Sequence, residues 1–166
     1  MIAEKLVRAA TDMGAAQASE FRIKDVVFDE RTVLKCLYGC PGGYHYCPTK
    51  QDASLLPLYI RMIKKYQYGV LIRTGNLKDG QKITLELEKA AFLAGYHFAF
   101  GACECAVCKV CSRVDGQHCR TPKSQRPPLY SLGIDVYNTV RNIGWQLEVV
   151  QDRDAPRKNI TAVFIE

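Results

Sequence analysis

Apolar residues at Ile2, Leu6, Ala9, Ala10 and Met13 recur every three to four positions, which predicts a short amphipathic helix over the opening residues. The period then shortens. In FRIKDVVFDERTVLKCLYGC, residues 21–40, β-branched side chains come in two bursts around Asp29-Glu30 and predict two short strands. A helical face returns at Leu56, Tyr59, Ile60, Ile63 and Tyr66, with Asp52 or Ser54 placed to cap it and Pro57 tolerable in its first turn. YGVLIR, residues 68–73, is a nearly unbroken apolar run, the pattern of a strand covered on both faces.

The next helical face is Ile83, Leu87, Ala90, Ala91 and Ala94, with Gly95 positioned as its stop. An aromatic strand, YHFAFG, follows it. Strand, helix and strand within about 35 residues have the size of a βαβ unit, so the two strands are expected to be parallel neighbours. Downstream, LGIDVYNTVRNIG predicts a helix that buries Ile134, Val136, Val140 and Ile143 in part and ends at Gly144. WQLEVV and ITAVFIE read as closing strands around the polar loop QDRDAPRKN. The expected fold is α+β or α/β. Residues 1–166 form a single domain with a mixed sheet of about five strands, helices packed on it and two cysteine-rich loops, at 36–48 and 103–122.

Composition changes this picture mainly through cysteine. A chain of 166 residues can build a core without disulfide staples, so its eight cysteines call for another explanation. The opening residues carry Glu4, Lys5, Arg8 and Asp12 and lack an apolar secretory core, and no apolar run is long enough to span a bilayer. A cytoplasmic setting is expected, where clustered cysteines bind metal or do redox chemistry. The net charge of +6 permits an acidic or nucleic-acid partner without demanding one, and aromatic residues near Lys64-Lys65 are more easily core than a nucleic-acid platform.

Five cysteines crowd into GACECAVCKVCSRVDGQHCRTP, residues 101–122. Cys105, Cys108, Cys111 and Cys119 make Cys-x2-Cys-x2-Cys-x7-Cys. A thiolate every third residue in a tight loop reaches successive iron corners of one cubane, and the fourth returns after an excursion through Gly116. Zinc is the competing metal, although it usually draws its ligands from two separated pairs. Cys103 is too close to Cys105 to share a cubane and reads as a buried thiol. Lys109, Arg113, Arg120, Lys123 and Arg126 surround the motif against Asp115 alone, either as a solvated basic loop or as a surface that stabilises a negative cluster and docks an acidic electron carrier.

The second group, CLYGCPGGYHYCP, contains Cys36, Cys40 and Cys47, with His45 nearby. Its Cys-x3-Cys start lacks the third cysteine two residues on that a radical-SAM motif requires. Three cysteines could hold a cluster with one open iron, His45 could complete a zinc site, or these residues could be core thiols beside an exposed histidine. No phosphate-binding glycine loop, HExxH motif or Ser-His-Asp order is present.

FRIKDVVFDERTVLKCLYGCPGGYHYCP, YGVLIR and the stretch from Cys105 through LGIDVYNTVRNIG together resemble a prokaryotic family of predicted metal-binding proteins catalogued as domain of unknown function 2284. The likeness covers roughly residues 20–150. That family usually ends the first cysteine group with Cys-Pro-Pro, where this chain has Cys47-Pro48-Thr49. The resemblance implies a metal, an iron-sulfur cluster and an anaerobic setting, and no known reaction. Three functions follow. The first is a [4Fe-4S] electron-transfer or accessory protein, with one cluster or two, serving a redox partner protein. The second is an enzyme using a three-cysteine cluster with an open iron. The third is a zinc-stabilised adaptor or nucleic-acid-binding module. The oligomeric state is not encoded in these patterns.

Overall fold

The computed structural model describes residues 1–39, 52–149, 155, 156 and 158–166. Its elements run α1 (Ile2–Asp12), β1 (Gln17–Arg22), α2 (Thr32–Tyr38), α3 (Leu56–Ile63), β2 (Tyr68–Thr74), α4 (Leu77–Leu93), β3 (Phe100–Ala102), α5 (Val136–Asn142) and β4 (Asn159–Phe164). The four strands form one sheet in the order β1-β2-β4-β3, and every neighbouring pair is antiparallel. The fold is therefore α+β, with four strands among the described residues where about five were expected.

Period-2 alternation sorts the side chains of the two central strands. Val70 and Ile72 of β2 and Val163 of β4 meet Leu6 and Ala10 of α1 and Ile83, Leu87 and Ala91 of α4 on one face. Leu71, Ala162 and Phe164 face the other way, into a second core with Ile63 of α3, Leu129, Leu132, Val136, Val140 and Trp145. The sheet is covered on both sides, which explains why β2 reads as an unbroken apolar run although its pairing is antiparallel.

Three expectations are corrected. The strands β2 and β3 point the same way but are not neighbours, because β4, from the far end of the chain, pairs with both: Leu71 stands opposite Ala162, and so does Ala102. The unit is a split βαβ. The second strand expected in residues 21–40 is instead the helix α2. The Asp29 carboxylate accepts from the Arg31 backbone N–H at 2.9 Å and its carbonyl from the Thr32 N–H at 3.1 Å, so this aspartate turns the chain into a helix whose Thr32 and Cys36 are buried at i, i+4 spacing. The extended residues just before it make only an isolated bridge, Phe28 to Ile134. Finally, residues 145–149 of the expected WQLEVV strand alternate buried Trp145 and Leu147 with exposed Gln146 and Glu148, yet they join no sheet. Alternation reports one buried side; a strand needs a ladder partner as well.

This topology positions the cysteine loop. Because β2 and β3 run parallel, the start of α4, which leaves the carboxyl end of β2, and the loop that leaves the carboxyl end of β3 lie on the same side of the sheet. Asn76 caps α4 by accepting from the Asp79 N–H at 2.9 Å, which fixes the helix's first turns beside that loop.

Candidate metal centre

The loop departs after Ala102, where Cys103 is 1% exposed and its backbone N–H donates to Pro127 O at 3.0 Å. Burial pushes the Cys103 thiol up to about 12, so it remains protonated and turned inward. Cys105, Cys108, Cys111 and Cys119 are half-buried thiols that line one pocket together with Ser112, Arg113, Thr121 and Gln125. Its free volume is about 30 Å³. Among the described residues, no three His, Cys, Asp or Glu side chains converge as ligands of a single metal ion.

The seven-residue excursion between Cys111 and Cys119 closes on itself. Ser112–Asp115 form a 3-10 turn that ends at Gly116, whose φ of 74° is the left-handed conformation glycine adopts at no steric cost. Gln117 N–H donates to Ser112 O at 3.2 Å, and the Ser112 hydroxyl donates to His118 O at 2.8 Å, so the chain returns and brings Cys119 back beside Cys111. The Cys108 sulfur lies 3.7 Å from the Thr121 hydroxyl.

The helix α4 anchors the loop through polar residues that periodicity did not single out. Gln81, 2% exposed, accepts from the Ala106 N–H at 2.6 Å and donates to Ser124 O at 2.7 Å and to the Cys105 sulfur at 3.6 Å. Two turns on, the Glu88 carboxylate accepts from the Gly101 N–H at 2.6 Å and forms a two-pronged ion pair with Arg126, one contact of which is Nε to Oε2 at 2.7 Å. The Arg126 guanidinium also donates to Gln125 O at 2.7 Å and Lys123 O at 3.1 Å. A Cβ on Gly101 would stand 2.7 Å from the Glu88 carboxylate, so the close approach of strand to helix requires glycine there. Arg126, counted among the cations around the cysteine motif, is a half-buried clamp, and Glu88 holds its guanidinium above the usual arginine range. The signal that could have found these residues is a polar stripe at positions 81, 84 and 88, spaced i, i+3, i+7 on an otherwise apolar helix.

Cys105 experiences two opposed effects. Burial raises its thiol's pKa, while hydrogen bonds from Gln81 and from the Val107 backbone N–H favour the thiolate. The donor set fits a thiolate-bound metal: four thiols on one short loop, one shared pocket and a buried amide aimed at the first sulfur.

Of the other constellation, Cys36 is buried in α2, which packs on the 3-10 turn Leu129–Leu132. Cys40, His45 and Cys47 lie outside the described residues. A separate cavity of about 490 Å³ is lined among others by Glu104, Tyr130, Tyr137, Leu147 and Lys158. Among the described residues, no helix is long and apolar enough to cross a membrane.

Neither the curated proteins nor the solved structures contain a match to this chain. A family model does match, over residues 19–165, which take in both cysteine groups and all of the sheet but the first two residues of β1, and the chain belongs to the family described as predicted metal-binding protein (DUF2284).

Proposed function

We propose that this metal-binding protein carries a [4Fe-4S] cluster on Cys105, Cys108, Cys111 and Cys119 and passes single electrons to a partner protein, as an accessory to an anaerobic enzyme system. The observation that carries this reading is that four cysteines at x2, x2, x7 spacing line one pocket. A cubane takes one thiolate at each of four separate corners, so its ligands surround a box rather than a point. When bound, the cluster supplies a one-electron redox couple. The protein's own residues hold the four thiols on a folded loop, keep Cys103 protonated and out of the set, and leave Lys109, Arg120 and Lys123 exposed around it. Exposed Val107 and Val110, between the ligands, provide an apolar centre to that basic rim, which suits an acidic docking partner.

Two other readings each have one observation in favour. Zinc on the same thiolates is favoured by the free volume of about 30 Å³, which is small for a cubane. Substrate turnover is favoured by the cavity of about 490 Å³ bordered by Glu104, the residue before the first ligand. Its cluster would be the three-cysteine site at Cys36, Cys40 and Cys47.

Iron, acid-labile sulfide and zinc per chain, measured on anoxically purified protein, separate these. About four iron and four sulfide are expected, with loss of most of both in Cys108→Ala. About eight iron would mean a second cluster and favour the enzyme. Zinc without iron would replace the electron carrier with a zinc-stabilised module.

A further inference from the structure

Gln81 is a polar side chain at a position where the helix otherwise buries Ile83 and Leu87, and every hydrogen-bonding group it has is used. The orientation of its amide is fixed by chemistry. The Ala106 N–H can only donate and Ser124 O can only accept, so the oxygen must face Ala106 and the nitrogen Ser124. The second hydrogen on that nitrogen is then left to face the Cys105 sulfur, 3.6 Å away. One side chain thus ties the start of the cysteine loop, at Ala106, to its end, at Ser124, and aims a donor at the first ligand.

We propose that Gln81 is a positioning residue for the metal centre. It clasps the two ends of the ligand loop and, by donating a hydrogen bond to the Cys105 thiolate, raises the reduction potential of the bound cluster. The inference rests on the iron-sulfur reading above. A donor to a ligating sulfur withdraws charge from the cluster and favours the more negative, reduced state. The site is dry on the helix side, since Gln81 is 2% exposed, so water cannot replace the lost donor in a variant.

The test compares wild-type protein with Gln81→Met, similar in length and without donors, and with Gln81→Glu, which keeps the acceptor for Ala106 and loses both N–H groups. Iron and sulfide per chain are measured first, then the midpoint potential by dithionite titration followed by electron paramagnetic resonance. A hydrogen bond to a charged acceptor is worth enough that the reduction equilibrium constant should fall about tenfold in both variants, a shift of about 59 mV for one electron. A variant that retains iron at the wild-type potential overturns the inference and leaves the cluster reading standing. Wild-type protein without iron and sulfide overturns the reading itself, and the inference with it. Should both variants fail to fold, wild-type protein labelled with [side-chain 15N]glutamine decides. A 15N hyperfine coupling to the reduced cluster that persists in Gln125→Ala supports the donor, and its absence overturns it.

Discussion

The helix α4 presents two buried faces built on different principles. One carries Ile83, Leu87 and Ala91, each no more than 1% exposed, against Val70, Ile72 and Val163 of the sheet. The other carries Gln81, Thr84 and Glu88 and is joined by hydrogen bonds to Ala106, Ser124, Thr161, Gly101 and Arg126. The apolar face is non-directional, and any side chain of the right volume satisfies it. The polar face is directional, because each donor meets a particular acceptor, so this face sets where the cysteine loop sits. Stability and site geometry are thereby assigned to different sides of one helix.

The largest expected effect tests the apolar side alone. Leu87→Ala removes a fully buried side chain between the helix and the central strands and should lower stability by about 3 kcal/mol, seen as a lower urea midpoint. Bound metal per folded chain should remain at the wild-type value, because Leu87 packs in the apolar cluster on the sheet and not on the loop. A loss of metal in protein that is still folded would break the division between the two faces.

Glu88→Ala comes next and should behave differently. It leaves the Arg126 guanidinium, whose side chain is 19% exposed, without its carboxylate and the Gly101 N–H without its acceptor. The expected loss is about 2 kcal/mol, below the value for a fully buried pair because both partners retain some contact with water. In this variant metal retention should fall together with stability, since Arg126 also holds the carbonyls of Lys123 and Gln125 at the end of the loop. Glu88→Gln should recover part of both, as its amide oxygen can still accept from Gly101.

The same contrast explains what could be read from the chain. Repetition marks apolar burial, so α1, β2, α4, α5 and β4 were all legible from their periods, and Gly95 and Gly144, at φ of 100° and 85°, follow the helices they were expected to stop. Cysteine spacing likewise made a shared pocket for Cys105, Cys108, Cys111 and Cys119 foreseeable, because side chains eight residues apart or fewer can meet by local turns. The polar face was not legible. Gln81, Thr84 and Glu88 find partners 13 to 77 residues away, and Arg126 stands 38 residues from Glu88, distances at which a sequence shows the residue but not what it meets. The position of β4 between β2 and β3 was hidden for the same reason, and α2 was misread because the hydrogen bonds at Asp29 outweigh the strand preference of Thr32 and Val33.

The smallest effect examines one polar contact on that face. Thr84 Oγ1 and Thr161 Oγ1 lie 2.7 Å apart, both residues at 0% exposure, and Thr84 also lies 2.7 Å from Gly80 O. Each hydroxyl has a single proton. Thr84 therefore donates to Gly80, and Thr161 donates to Thr84. Thr84→Val keeps the shape and removes the acceptor, which strands a buried hydroxyl on β4 and should cost about 1 kcal/mol. The double variant Thr84→Val, Thr161→Val converts the contact into an apolar one in which valine suits both the buried helix face and the strand, and it should regain most of that loss. Urea midpoints of the two single variants and the double one complete the cycle. A double variant as unstable as the sum of the singles would mean that the hydroxyl pair is not what these threonines contribute. Recovery would show that this polar contact, unlike those of Gln81 and Glu88, can be exchanged for apolar packing without disturbing the loop.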